Sequence, residues 1–350
     1  MTGLQEALAN WFETNKRELP WRTLPTPYHV WLSEIILQQT RVSQGFEYYN
    51  RFVERWPELS HLADASEEEV LKMWQGLGYY SRARNLLQCA RQVRQQHGGL
   101  FPADYKLLKG LKGVGPYTAA AIASIAFNLP HAVVDGNVYR VVARLFDIDT
   151  SINSTAGKKQ FAQLADMLLD RDHPGRHNQA MMELGALQCV PKNPNCSDCP
   201  LKTQCLAFAR GTVDERPVNT KKLQIKVRYF NYLVFKTDLN QTVLHKRDSN
   251  DIWKNLYDFP LIESKIPLSV DEILKQDAFL ELTHGKENVV ENVSRTFTHK
   301  LTHQTIIARF LQIKLLDGTP HIEGNNLFLT PEKDMGSYPV PRLIDLYLNN

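Results

Sequence analysis

The sequence predicts two folds in series: a mainly α region over residues 1–210, a linker at 211–224, and a smaller α+β domain over 225–350. Three observations predict it. Apolar residues recur at helical spacing from residue 4 to about 210, with breaks at Pro, Gly or Asn. Four cysteines, Cys189, Cys196, Cys199 and Cys205, cluster where that region closes. Beyond the polar stretch GTVDERPVNTKK the pattern turns β-branched and aromatic, as in VRYFNYLVFK at 227–236.

Helices are predicted over 4–15, 29–43, 45–55, 59–63, 67–74, 81–97, 104–109, 116–127, 137–147, 155–169, 176–187 and 200–208. In the second domain TVLHKR at 242–247 follows the first strand after the turn TDLNQ, 269–279 reads as a helix, and 300–316 offers more strand. A chain of 350 residues accommodates two such domains, and no repeat or low-complexity tail points to a solenoid or a disordered arm. No apolar run is long enough to span a bilayer and the first residues lack a signal-peptide core, so an intracellular location is expected. The net charge of +3 says little, but Arg82, Arg84, Arg91 and Arg94 fall in a stretch without acids. That stretch reads as a phosphate-facing surface or as an ordinary solvated helix face.

The cysteines follow the order C-x6-C-x2-C-x5-C. Thiolates are soft ligands, and this spacing favours an iron–sulfur cluster at 189–205 over zinc, with disulfides or free thiols as further alternatives. The second strong motif is LKGLKGVGPYTAAAIASIAF at 108–127, whose hairpin at 111–115 places Gly113 and Gly115 in a short turn before Pro116. Such a turn exposes backbone amides that can meet a phosphate, although a tight helix–helix turn needs no ligand.

Two carboxylates attract attention. Glu34 lies in VWLSEIILQQT, where burial would favour the neutral acid, unless it occupies a narrow polar stripe facing water. Asp135 follows Val133-Val134 and precedes a predicted helix, so it can cap that helix and stay ionised. Carboxyl groups held in different states are what acid and base work on a glycosidic bond requires.

Together LPWR at 19–22, SEIILQQTRV at 33–42, LGYYSRARNL at 77–86, GVGPYTAAAI at 113–122, VDGNVYRV at 134–141 and the cysteine quartet resemble the endonuclease III superfamily of helix-hairpin-helix DNA glycosylases. Within it the chain looks like the branch that removes adenine mispaired with 8-oxoguanine. The resemblance covers nearly all of residues 5–210 and, more loosely, the second domain. It implies a 4Fe–4S cluster on the four cysteines, a monovalent cation at the hairpin, and a monomer acting on duplex DNA with A:8-oxoguanine or A:G pairs, in the cytoplasm or on the nucleoid, with other repair proteins as candidate partners. Glu34 would protonate the adenine and Asp135 would stabilise the sugar cation, a retaining double displacement being the preferred path. Tyr117 stands where strand-cutting relatives carry a lysine, which implies a glycosylase without that Schiff-base nucleophile. Arg17 and Glu183 would serve the adenine pocket or support it. Gln39, Thr40, Leu77 and Tyr79 would wedge into the duplex or contact the lesion strand, and Lys192, Lys202 and Arg210 would reach phosphates. WKNLYDFPLIES at 253–264 resembles a Nudix-like module, yet the glutamate-rich box REx2EE is missing, which implies recognition rather than nucleotide hydrolysis. Phe297, Thr298 and His299 match the lesion-recognition loop of this branch, with threonine where serine is common. Glycosylases acting on thymine or uracil opposite guanine, and a lesion-sensing scaffold without catalysis, are the competing readings.

Overall fold

The computed structural model describes residues 3–220, 225–322 and 326–349, so the last four residues of the expected linker, 221–224, lie outside the described residues. The chain divides into two compact units, Met1–Ala65 with Asn85–Lys221, and Ser66–Arg84 with Lys222–Asn350.

The first unit is helical. Its order begins α1 (Gly3–Asn15), α2 (Pro20–Thr23), α3 (Pro27–Leu37), α4 (Val42–Arg55) and α5 (Leu59–Asp64). After α6 (Glu67–Met73), which belongs to the second unit, come α7 (Ser81–His97), which joins the first unit from Asn85 onward, α8 (Tyr105–Lys109), α9 (Pro116–Phe127) and α10 (Gly136–Leu145). The unit closes with α11 (Thr155–Leu168), α12 (Pro174–Leu187) and α13 (Leu206–Arg210). Proline at the first turn starts α2, α3, α9 and α12, where the missing N–H costs nothing. The helix expected at 29–43 ends at Leu37, because Gln38 leaves helical geometry and Gln39 takes φ +57°. The helix expected at 200–208 is instead one short 3-10 turn, Lys202–Gln204, followed by α13.

Leu8 and Phe12 of α1, Val138, Val141 and Val142 of α10, Phe161 of α11 and Met181 and Leu184 of α12 form one buried cluster. α12 is the central member, touching α1, α9 and α10. Its approach to α10 is made by Gly185, where an added Cβ would lie 2.6 Å from Asn137 Cβ and 2.9 Å from the Asn137 carbonyl oxygen. The polar segment expected as a linker is bound to this unit: Ile152 donates to the Val218 carbonyl at 3.1 Å and Arg216 pairs with Asp147 at 3.0 Å.

At the hairpin Gly113 has φ +75°, and a Cβ there would sit 2.8 Å from Asn85 Cβ, so glycine is required by both conformation and space. Gly115 caps α9 in extended geometry. The arginines read as a phosphate surface serve other groups: Arg82 is 8% exposed, Arg84 donates to the Lys254 carbonyl, and Arg91 to those of Ala63 and Ala65.

The iron–sulfur expectation is corrected by the structure. Among the described residues no group of three or more His, Cys, Asp or Glu could hold a metal ion, so neither the cluster nor the hairpin cation finds such ligands. Cys189, Cys196, Cys199 and Cys205 line a space of only about 30 Å³. The Arg144 guanidinium donates to Cys189 Sγ at 3.4 Å, while Cys205 donates to the Arg144 carbonyl at 3.3 Å. Burial pushes the thiols of Cys196, Cys199 and Cys205 up, Cys199 to about 11, which keeps them protonated. Cys189, Cys199 and Cys205 instead pack on the α1–α10–α12 cluster.

The second unit joins α6 and residues up to Arg84 to a β-rich module. Its elements are β1 (Lys226–Lys236), β2 (Gln241–Lys246), β3 (Tyr257–Asp258), β4 (Leu261–Ser264), α14 (Val270–Leu274), α15 (Asp277–Thr283), β5 (Asn288–Val293), β6 (Phe297–Lys300), β7 (Gln304–Leu315), β8 (Leu327–Pro331) and α16 (Arg342–Leu348). One sheet runs β4-β1-β7-β5 with β6 also on β7, and a second runs β3-β2-β8. The β1–β7 pair is parallel, placing Tyr232 beside Phe310, whereas β6 pairs antiparallel with Phe297 opposite Ala308.

The glycine contact on α12 yields a test. Gly185→Ala should destabilise the chain by roughly 1–3 kcal/mol through overpacking, read as a lower urea midpoint with an unchanged slope.

Candidate active site

Glu34 occupies the last turns of α3 among the buried side chains of Val30, Trp31, Leu32, Ile35 and Ile36. It opens onto a cavity of about 920 Å³ that Arg22, Tyr117, Asp135, Asn137 and Glu183 also line. The Glu34 side chain keeps some surface toward that cavity, while protein atoms otherwise surround its carboxyl. Burial pushes this carboxyl up to about 7; the negative Asp135 nearby adds to the rise, whereas the Tyr117 hydroxyl and the Arg22 charge oppose it. Tyr117, at the second residue of α9, donates its hydroxyl to Glu34 Oε2. Burial, then the Glu34 and Asp135 charges, hold its phenol well above the ordinary range, so it remains a donor.

Asp135 is the N-cap of α10. Its Oδ1 accepts from the Val138 amide at 2.7 Å and its Oδ2 from the Asn137 amide group at 2.9 Å. Burial raises its pKa, and those hydrogen bonds work against the rise by favouring the ionised form. Asn137 is oriented in turn: its Oδ1 accepts from Arg140 at 2.9 Å, and Arg140 also donates to the carbonyls of Gly185 at 2.6 Å and Cys189 at 2.7 Å.

Glu183 is 1% exposed on α12. Arg17 bonds it from backbone and side chain at 2.9, 2.8 and 2.7 Å, and Arg22 at 3.2 and 2.9 Å. Burial alone would raise its pKa; the two guanidinium groups outweigh that and hold it at about 2. The cavity therefore brings together Glu34, Asp135, Tyr117, Arg17, Thr40 and Glu183 of the residues read from sequence. Arg22, Asn137 and Met182, whose sulfur lies 3.8 Å from the Tyr117 oxygen, were not singled out. Arg22 stood in the quoted LPWR motif, and Asn137 stood two residues after Asp135, a spacing that signals a capping turn.

Gln39 is exposed at its positive φ and Gly113 is exposed on the hairpin. Leu77, Tyr79, Phe297, Thr298 and His299 belong to the second unit. There Leu77 is buried and Tyr79 is 48% exposed. Phe297 is buried with its ring edge-on to Phe310 at 5.4 Å, while Thr298 is exposed beside it. His299 lies 5.8 Å from the Trp253 ring, and burial followed by the Arg342 charge lowers its pKa.

Residues 32–166 match the HhH-GPD superfamily of base excision DNA repair proteins, and residues 231–350 match the NUDIX domain. An adenine DNA glycosylase of Buchnera aphidicola subsp. Baizongia pistaciae is 34% identical over 86% of this chain and 83% of the relative's length. The chain belongs to the adenine DNA glycosylase family. The mouse member of that family is 42% identical across 64% of this chain, which spans about half of it, 48%. The solved structure of a thermostable thymine-DNA glycosylase superposes with a TM-score of 0.55 at 28% identity, covering 59% of this chain and 95% of that one. An endonuclease III–DNA complex shares the fold at TM-score 0.51 and 22% identity, covering 59% of this chain and 94% of that one.

The state of Glu34 links pH to stability in this family member. Its folded pKa, about 7, lies above the usual 4.5, so between those values the native chain binds more protons than the unfolded chain. The contribution of Glu34 is thus retained below pH 4.5 and is lost as pH rises toward 7. Glu34→Gln should therefore gain stability over wild type across that window, by up to about 3 kcal/mol above it, measured by urea unfolding at several pH values.

Proposed function

We propose that this chain hydrolyses the N-glycosidic bond of adenine mispaired with 8-oxoguanine, and with guanine, in duplex DNA during base-excision repair. The observation that carries the reading is the pairing of a carboxyl pushed up to about 7 with a second carboxyl whose ionised form is hydrogen-bonded, in one 920 Å³ cavity. Adenine in a duplex is out of reach of both groups, so the nucleotide must swing into the cavity. Neutral Glu34 gives its proton to adenine N7, which lets the base leave with the bonding electron pair. The positive charge developing on the deoxyribose falls to Asp135, which stabilises it electrostatically or through a transient ester that water then opens. Asn137 and the Val138 amide hold that carboxylate in place. Tyr117 steadies Glu34 as a donor rather than attacking the sugar, because a phenol cannot form the Schiff base that a lysine forms.

The hairpin amides of Gly113 and Gly115 would meet phosphate, and Gln39 and Thr40 the lesion strand. In the second unit Leu77 supports the turn from which Tyr79 stacks, while exposed Thr298 and half-buried His299 donate to the 8-oxoguanine edge. Phe297 supports that loop from the interior. The chain would act as an intracellular monomer; among the described residues no helix is long and apolar enough to cross a membrane.

The test is base loss from duplexes containing A:8-oxoguanine, A:G, T:G or U:G pairs, followed by alkali. Strand breaks at adenine that require alkali are expected. Loss of thymine or uracil instead would reassign the substrate, breaks without alkali would contradict the role given to Tyr117, and no base loss anywhere would overturn the proposal. Glu34→Gln should slow adenine release by about 10²–10⁴-fold while still binding the A:8-oxoguanine duplex. The wild-type rate should fall above pH 7 as Glu34 loses its proton, and fall again in acid as Asp135 gains one.

A further inference from the structure

Tyr79 combines features that a simple turn residue does not need together. It is 48% exposed, its backbone has φ +49°, and its hydroxyl is hydrogen-bonded to Thr302. Positive φ is uncommon for a residue with a bulky side chain and persists where the surroundings impose it. Here they do. Gly76 and Gly78 flank the turn with φ +97° and +73°. Trp74 Nε1 donates to the Gly78 carbonyl at 3.0 Å, and Arg82 donates to the carbonyls of Leu77 and Gly78 at 3.4 and 3.3 Å. The Arg82 guanidinium also lies 5.0 Å from the Trp74 ring and 5.7 Å from the Tyr79 ring.

The backbone of the turn is thus held from within its own segment, but the phenol tip is not. That tip is held by Thr302, in the short connection between β6 and β7, where the Leu301 amide donates to the Gln304 carbonyl at 2.8 Å. The same β6–β7 hairpin carries Thr298 and His299. Tyr79 and Thr302 also line one cavity of about 290 Å³ with Trp253 and Gln304, all within the second unit.

We propose that Thr302 is a positioning residue, fixing the Tyr79 ring for stacking and tying that ring to the hairpin that bears Thr298 and His299. The inference rests on the function proposed above, in which Tyr79 stacks on the lesion strand. An aromatic ring on a flexible side chain rotates about two torsions; a bond at its far end removes most of that freedom before DNA arrives. The ordering is then complete in the free protein, and binding does not have to supply it.

The experiment uses the full chain. Binding of an A:8-oxoguanine duplex is measured in a Glu34→Gln background, and single-turnover adenine release with Glu34 intact. Thr302→Val should weaken binding roughly three- to tenfold, the range expected for one exposed hydrogen bond. The loss should fall on the half-saturating DNA concentration rather than on the saturated rate. Thr302→Ser, which restores the hydroxyl, should recover binding. Tyr79→Phe should weaken binding as Thr302→Val does, and the double variant should be no weaker than either single one. Unchanged binding by Thr302→Val, failure of Thr302→Ser to rescue with an unaltered unfolding temperature, or additive losses in the double variant would each overturn the inference while leaving the function in place. Failure of the unmodified chain to release adenine would overturn the function, and this inference with it.

Discussion

Everything around the cavity answers to the cost of burying carboxylate charge. Three acidic groups are drawn out of water there, and each meets the cost differently. Glu34 meets it by keeping its proton, helped by a flank of aliphatic side chains that offers no donor to the ion. Asp135 meets it with a helix N-terminus and a neighbouring amide. Glu183 meets it with two guanidinium groups. Because the solutions differ, Glu34 can stay neutral at a pH where the ionised forms of Asp135 and Glu183 are the ones held by hydrogen bonds. Tyr117 moderates the difference without removing it: its hydroxyl donates to one oxygen of Glu34, which works against the rise, and leaves the other oxygen to carry the proton.

That chemistry depends on how closely helices can lie. Ala119, Ala120, Ala121 and Ala123 are buried on α9, which packs on both α3 and α12. Larger residues would widen those gaps and lift Tyr117 away from Glu34. Gly185 does the same for α10, bringing Asn137 and Arg140 against the α12 backbone. The small residues are as much part of the acid–base arrangement as the carboxylates, although none of them touches a reacting atom.

What could be read from the sequence was what is encoded locally. Glu34 is conspicuous among its apolar neighbours, Asp135 before its helix, and the hairpin glycines in their short turn; each signal lies within about one helical turn of the residue it concerns. The clamp on Glu183 was not legible as a clamp, since Arg22 stands 161 positions away and nothing local announces the pairing. Nor did any local pattern assign residues 66–84 to the second unit, because their apolar spacing is as helical as that of their neighbours. Phe297 matches the lesion-recognition loop alongside Thr298, yet strand alternation turns consecutive side chains to opposite faces and sends it into the interior. The cysteines show the limit most plainly. Spacing along the chain says which thiols can meet, but the space between them and the guanidinium of Arg144 are properties of the folded chain alone.

The membership of residues 66–84 in the second unit has a consequence for how the protein is made. Lys72 donates to the Tyr338 carbonyl, Gln75 to Asp345 and Tyr80 to the Val340 carbonyl, partners that follow them by 266, 270 and 260 positions. A ribosome adding roughly 5–20 residues per second therefore leaves this segment without those partners for on the order of 10 seconds or more. The helical unit can pack its own core meanwhile, but the turn that presents Tyr79 cannot acquire its downstream bonds until nearly the whole chain has emerged. The surface proposed to read the lesion is, on this timetable, among the last parts of the molecule to be completed.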